Sequence, residues 1–203
     1  MTAPQGPAAR RRNLIGAILA APLIGPRFGR AQNSISSVTI DGGPYVPTPT
    51  AVVERMLELA GVGANDIVYD LGSGDGRLVI EAARRYGARG VGVEREARLV
   101  DLARAAAAEA GVAERVSFRQ GDLFDADLRG ATVVTLYLLP RLLEQLVPKL
   151  RAELAPGTRI VSHDYPLEPW PAERTLEFDV PEKEALMLSP RTQLFLYEIR
   201  PSR

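Results

Sequence analysis

Apolar positions along the chain recur with two periods, and turn residues mark where one period gives way to the other. Val52, Val53, Met56, Leu57 and Ala60 share one side of a helix that Thr50 caps and Gly61 ends. Ile67-Val68-Tyr69-Asp70-Leu71 is a short apolar run between turn residues, the mark of a buried strand. Leu78 to Tyr86 reads as a helix closed by Gly87, and Gly90 to Glu94 as a second strand. An Ala-rich helix from Ala97 to Ala110 follows, and then strands over Val116 to Gln120 and Ala131 to Leu138. Leu142, Leu143, Leu146, Val147, Leu150 and Leu154 keep helical spacing, with Pro148 expected to kink that helix or to start a second one. Arg159 to His163 is a fifth strand, and Thr175 to Val180 and Gln193 to Ile199 are two more with no helix between them. Strands alternating with helices predict an α/β fold. It has a seven-stranded, mostly parallel sheet, helices on both faces, and an antiparallel C-terminal hairpin at its edge.

Ahead of the first helix the pattern dissolves. Residues 32–44 are polar and glycine-bearing, and Tyr45-Val46-Pro47-Thr48-Pro49 is held extended by its two prolines. Earlier still, Arg10-Arg11-Arg12 precedes an apolar run from Leu14 to Gly25 and then Gly29-Arg30-Ala31. This order describes a signal peptide of the twin-arginine type over residues 1–31, leaving 32–203 as the folded domain. The run is shorter than the roughly 20 residues that span a bilayer, so no stable transmembrane segment is expected. The expected location is exported or periplasmic, with the cytoplasm as the alternative.

Charge sharpens the picture. Five of the 25 basic residues and none of the 25 acidic ones fall in residues 1–31, so 32–203 carries 20 basic against 25 acidic groups. An acidic body argues against a nucleic-acid partner. The chain has no Cys and one His, which excludes disulfides, thiol nucleophiles and the usual zinc sets, and no metal is expected. His163 stands in Ser162-His163-Asp164, but neighbours on a strand face opposite ways, so these three cannot form a triad. His163 is expected to stabilise the end of its strand, and Trp170 to serve as a packing anchor or lid.

The chemistry concentrates in Asp70-Leu71-Gly72-Ser73-Gly74-Asp75-Gly76-Arg77, where the first long strand turns into the next helix. Glycines there let the backbone press against a ligand, and the helix start offers free N–H groups. Glu94 ends the next strand 24 residues beyond Asp70, placed to accept hydrogen bonds from ribose hydroxyls. The spacing Gly-x-Gly-x-Gly departs from the dinucleotide fingerprint Gly-x-Gly-x-x-Gly. A carboxylate two places before the first glycine repels a pyrophosphate and attracts an ammonium group, which favours S-adenosylmethionine over NAD. The expected cofactor-binding residues in this stretch and the lead-in are Thr48, Asp70, Gly72, Ser73, Gly74, Gly76 and Glu94. An NAD-linked oxidoreductase and a nucleoside-binding module without catalysis stand as alternatives.

These residues resemble motif I of class I methyltransferases, whose fold is Rossmann-like. Pro44-Tyr-Val-Pro-Thr-Pro49, the glycine loop, Glu94, Gly121-Asp122-Leu123 and Pro166-Leu-Glu-Pro-Trp170 occur in one order. That order is similar to the lysine methyltransferases of the ATP-synthase c subunit and the adenine-nucleotide translocase, with their prokaryotic relatives. The resemblance implies methyl transfer from S-adenosylmethionine to lysine of a protein substrate, and places Asp122 near the adenine. Tyr137-Leu-Leu-Pro140 lacks the Asp or Asn that amino-methylases of DNA carry before their Pro-Pro-Tyr. Tyr45, Tyr137 and Asp164 are the expected catalytic groups on the acceptor side.

Overall fold

The computed structural model describes residues 2, 39–40, 43–186 and 188–201. The expected leader lies outside the described residues but for residue 2. Two short strands, β1 (Thr39–Ile40) and β2 (Gly43–Pro44), pair antiparallel ahead of helix α1 (Thr50–Leu59). Then come β3 (Ile67–Leu71), α2 (Arg77–Tyr86), β4 (Arg89–Glu94), α3 (Ala97–Glu109), β5 (Val116–Gln120), β6 (Val133–Leu136) and α4 (Pro140–Glu153). The chain continues with β7 (Arg159–His163), β8 (Arg174–Asp179), a 3-10 helical segment (Pro181–Leu186) and β9 (Arg191–Glu198).

The main sheet has seven strands in the order β5-β4-β3-β6-β7-β9-β8. Strands β3 to β7 run parallel, whereas β9 is antiparallel to both β7 and β8. After β3 the chain builds outward through β4 and β5, then crosses back to lay β6 on the other side of β3. The crevice between the carboxyl ends of β3 and β6 is therefore the topological switch point, where open α/β sheets bind ligands.

Strand alternation divides the core in two. Val68, Val133, Val161 and Leu194 face α1, α2 and α3, while Tyr69, Val134, Ile160 and Tyr197 face α4 and the loops beside it. Helices cover both faces, as expected. Trp170 packs in the second cluster, 5.5 Å from the Tyr197 ring and with Arg151 over its indole, and takes no part in the cavity described below.

Four details refine or correct the sequence expectation. Pro49, with no side-chain oxygen, occupies the N-cap of α1, and its carbonyl accepts from the Val52 and Val53 N–H groups, so Thr50 is already helical. The fourth long strand is confined to Val133–Leu136. No second helix starts at Pro148: one helix, α4, runs through it, as the first of the two expected alternatives allowed, because Leu143, Leu146 and Leu150 bury one continuous face and outweigh a missing backbone bond. The β8–β9 connection is a 3-10 helical segment rather than a plain turn.

Candidate active site

The switch point opens into a cavity of about 330 Å³. One half is formed by the ends of β3 and β4 and the turn after β5; the other by the ends of β6 and β7, the lead-in and the β8–β9 connection.

On the first half, β3 delivers Asp70, fully embedded beside β6. Register pairs Asp70 with Thr135, whose hydroxyl donates to Asp70 Oδ1 at 2.8 Å. Burial pushes the Asp70 carboxyl up to about 7 against the Thr135 hydrogen bond, and the nearby Glu94 and Asp75 add to the rise. Glu94 ends β4 with its carboxylate accepting from the Gly74 N–H and the Glu96 N–H, both at 2.9 Å. It thereby ties the glycine loop to the start of α3. Asp122 lines the cavity and also accepts the Phe124 N–H at 2.9 Å, so turn residue and cavity residue are one.

The glycine loop closes against the lead-in. Gly74 has φ +53, and a Cβ there would stand 2.4 Å from the Tyr45 ring, so a side chain would drive Tyr45 off the loop. Gly76, the left-handed N-cap of α2, faces Phe118 and Ala103 instead, so its role is packing under the loop rather than cavity wall. Asp75 and Arg77 are both buried and grip each other, Nε–Oδ1 at 2.8 Å and Nη2–Oδ2 at 2.5 Å. Arg77 Nη1 also donates to the Thr48 carbonyl at 2.7 Å, and the Tyr45 hydroxyl interacts with both partners. Burial and the Asp75 charge raise the Tyr45 phenol above its ordinary value.

Tyr137, Tyr165 and Leu188 line the second half, while Tyr45 and Leu138 stand between the halves, against Gly74 and Gly72 of the glycine loop. Burial, with Asp164 and Tyr165 nearby, raises the Tyr137 phenol as well. Asp164 is not among the lining residues. Its carboxylate is turned to the Lys183 ammonium at 2.6 Å and the Gln193 N–H at 3.2 Å. His163 is fully buried, with no hydrogen-bond partner on either ring nitrogen among the described residues, stacked 3.9 Å from the Tyr137 ring, and burial lowers it to about 4.

The structure thus brings Tyr45, Thr48, Asp70, Gly72, Ser73, Gly74, Glu94, Asp122 and Tyr137 to one cavity, and leaves Gly76 and Asp164 behind it. Thr135, Tyr165 and the Asp75–Arg77 pair were not singled out by sequence. Asp75 and Arg77 lie within the quoted motif, but nothing in it shows the lead-in folding back onto them.

The residues fit S-adenosylmethionine. Asp70, Glu94 and Asp75 crowd three carboxyl groups with one partly neutralised, a field that a cationic ligand relieves. Ser73 Oγ, without a hydrogen-bond partner among the described residues, is buried against Gly92 of β4.

The family model of the ANTKMT methyltransferase domain matches residues 70–174. A protein-lysine N-methyltransferase of Saccharolobus islandicus is 46% identical over 137 residues, covering 67% of this chain and 85% of that protein. The adenine nucleotide translocase lysine N-methyltransferase of Mus musculus is 41% identical over 128 residues, covering 63% of this chain, which spans only 55% of its length. Among solved structures, an RNA methyltransferase from Salinibacter ruber in complex with S-adenosyl-L-homocysteine is 51% identical with a TM-score of 0.71, covering 78% of this chain and 96% of that one.

Proposed function

Because this chain belongs to the ANTKMT methyltransferase family, with S-adenosylmethionine as its cofactor, we propose that it methylates the side-chain amine of lysine in a protein substrate. The observation that carries this reading is the lining of one cavity by the carboxylates Asp70, Glu94 and Asp122 together with the phenols Tyr45, Tyr137 and Tyr165 and the leucines Leu138 and Leu188. An aliphatic chain ending in an amine suits a wall of phenol rings and apolar side chains.

The bound cofactor supplies a methyl group on a sulfonium centre with a neutral leaving group. The protein's part is to hold, align and desolvate. Asp70 would accept the cofactor's ammonium group, Glu94 its ribose hydroxyls, Asp122 the adenine end and Thr48 the methionine end. Tyr45 and Tyr137 flank the acceptor. Both phenols are held protonated, so they position the amine by hydrogen bonding and do not take its proton as bases. The amine sheds its proton to water before it enters between the phenol rings.

RNA is the second reading, because the solved structure that is 51% identical carries that description. The acidic balance of residues 32–203 and the absence of Asp or Asn ahead of Pro140 weigh against it. Incubation with radiolabelled S-adenosylmethionine and either poly-L-lysine or total RNA separates the two: label on the polypeptide supports lysine, and label on RNA alone overturns it. Export of the folded enzyme belongs to this proposal too, resting on the Arg11-Arg12 leader and its apolar run. Mass spectrometry of the native N-terminus tests it, Gln32 supporting cleavage and Met1 refuting it.

A further inference from the structure

Ser162-His163-Asp164 stood out in the sequence, and the cofactor half of the site leaves it without a role. Asp164 holds a left-handed backbone, φ +61, which few residues other than glycine adopt, although Asp and Asn do so more readily than most. Such strain persists where surrounding contacts over-determine it. Here they do. The Asp164 N–H donates to the Gln193 carbonyl at 2.7 Å, and Asp164 Oδ1 accepts the Gln193 N–H. Asp164 Oδ2 accepts from Lys183, an ammonium buried to 2% exposure that also donates to Thr192 Oγ1 at 3.0 Å.

Three residues of the acceptor wall radiate from this one anion. Tyr165 follows Asp164 directly, and its carbonyl accepts the Ser162 hydroxyl at 2.6 Å, which closes the turn. Tyr137 stacks on His163, whose Nε2 lies 3.5 Å from Asp164 Oδ2. Leu188 is reached through Lys183, whose carbonyl accepts the Leu188 N–H at 3.1 Å. Tyr137, Tyr165 and Leu188 come from three separate stretches of chain, and all three line the cavity.

We propose that Asp164, pinned by Lys183, is the positioning residue of the acceptor wall: it sets where Tyr137, Tyr165 and Leu188 stand and so governs acceptor binding without touching the cofactor. This rests on the methyltransferase reading above. The predicted signature is a split between two ligands. Asp164→Asn keeps a residue that tolerates the left-handed backbone and removes only the anion. Calorimetry with S-adenosylhomocysteine should give an affinity within about twofold of the parent, while KM for poly-L-lysine rises about 10- to 100-fold, the cost of misplacing a wall by an ångström or so.

A buried lysine without its partner lowers stability, so the double variant Asp164→Asn with Lys183→Met is measured alongside, since it leaves no buried charge. Its melting temperature should recover towards the parent while KM for poly-L-lysine stays high. If KM returns with the melting temperature, or if KM and the S-adenosylhomocysteine affinity weaken together, the pair is a stability element and the inference falls. Should the single variant not fold, the double variant carries the same comparison. A parent enzyme that binds S-adenosylhomocysteine but methylates no poly-L-lysine overturns the lysine reading itself. A parent that methylates it with the same KM as both variants overturns only the positioning role.

Discussion

Glu94 carries two kinds of load. Its carboxylate accepts two backbone N–H groups and is also the proposed acceptor of the cofactor's ribose hydroxyls. Glu94→Ala should weaken S-adenosylhomocysteine binding by about 1.5–3 kcal/mol for each charge-assisted bond lost. Thermal unfolding should also lower its melting temperature, because Gly74 and Glu96 lose their shared acceptor. Asp70 has the more telling pH dependence. Its folded carboxyl keeps a proton up to about pH 7, whereas an unfolded aspartate releases it near 4. Between those values the native state binds the extra proton, so ligand-free stability falls as pH rises from about 4 to 7. Affinity for a ligand bearing an ammonium group moves the other way and rises across pH 7, as the carboxylate forms. Melting curves with and without S-adenosylhomocysteine from pH 5 to 8 check both signs, and Asp70→Asn should flatten both. Asp70 and Glu94 were legible in the sequence because each ends a strand recognisable from its own apolar run. Thr135 was not, since its value lies in the register of a strand 65 residues away.

At the scale of elements, the lead-in and the glycine loop form one device. Its extended character was readable from Pro47 and Pro49; its landing place was not, because the Arg77 bond to the Thr48 carbonyl joins residues 29 apart. This changes what a substitution at Gly74 means. A side chain there would meet the Tyr45 ring first, so Gly74→Val should lift the lead-in away from the loop. Limited proteolysis should then cut near Tyr45 more readily while the core stays protected, and methyl transfer should be lost. Retained transfer with an uncut lead-in would contradict the arrangement. Helix α4 marks the opposite limit of local reading. Pro148 is a strong local signal for a break, yet three buried leucines on one face decide the matter, and packing is not written in any single residue.

Over the whole molecule, the two halves of the cavity differ in how their strands are joined. The cofactor half rests on strands that follow one another through single helices, and its order was readable from alternation alone. The acceptor half depends on β9, which is slotted between β7 and β8 and supplies Thr192 and Gln193 to the Lys183–Asp164 pin. A chain cut ahead of Arg191 should therefore lose poly-L-lysine methylation and expose the edge of β7, with self-association in light scattering as the readout. Among the described residues, strand β8 has no sheet neighbour except β9, which follows it in the chain. On the ribosome, then, β8 emerges with no partner yet made and must wait for β9, whereas β4 to β7 each find a partner strand already behind them. The nascent protein acquires the means to grip its methyl donor before it acquires a finished seat for the acceptor.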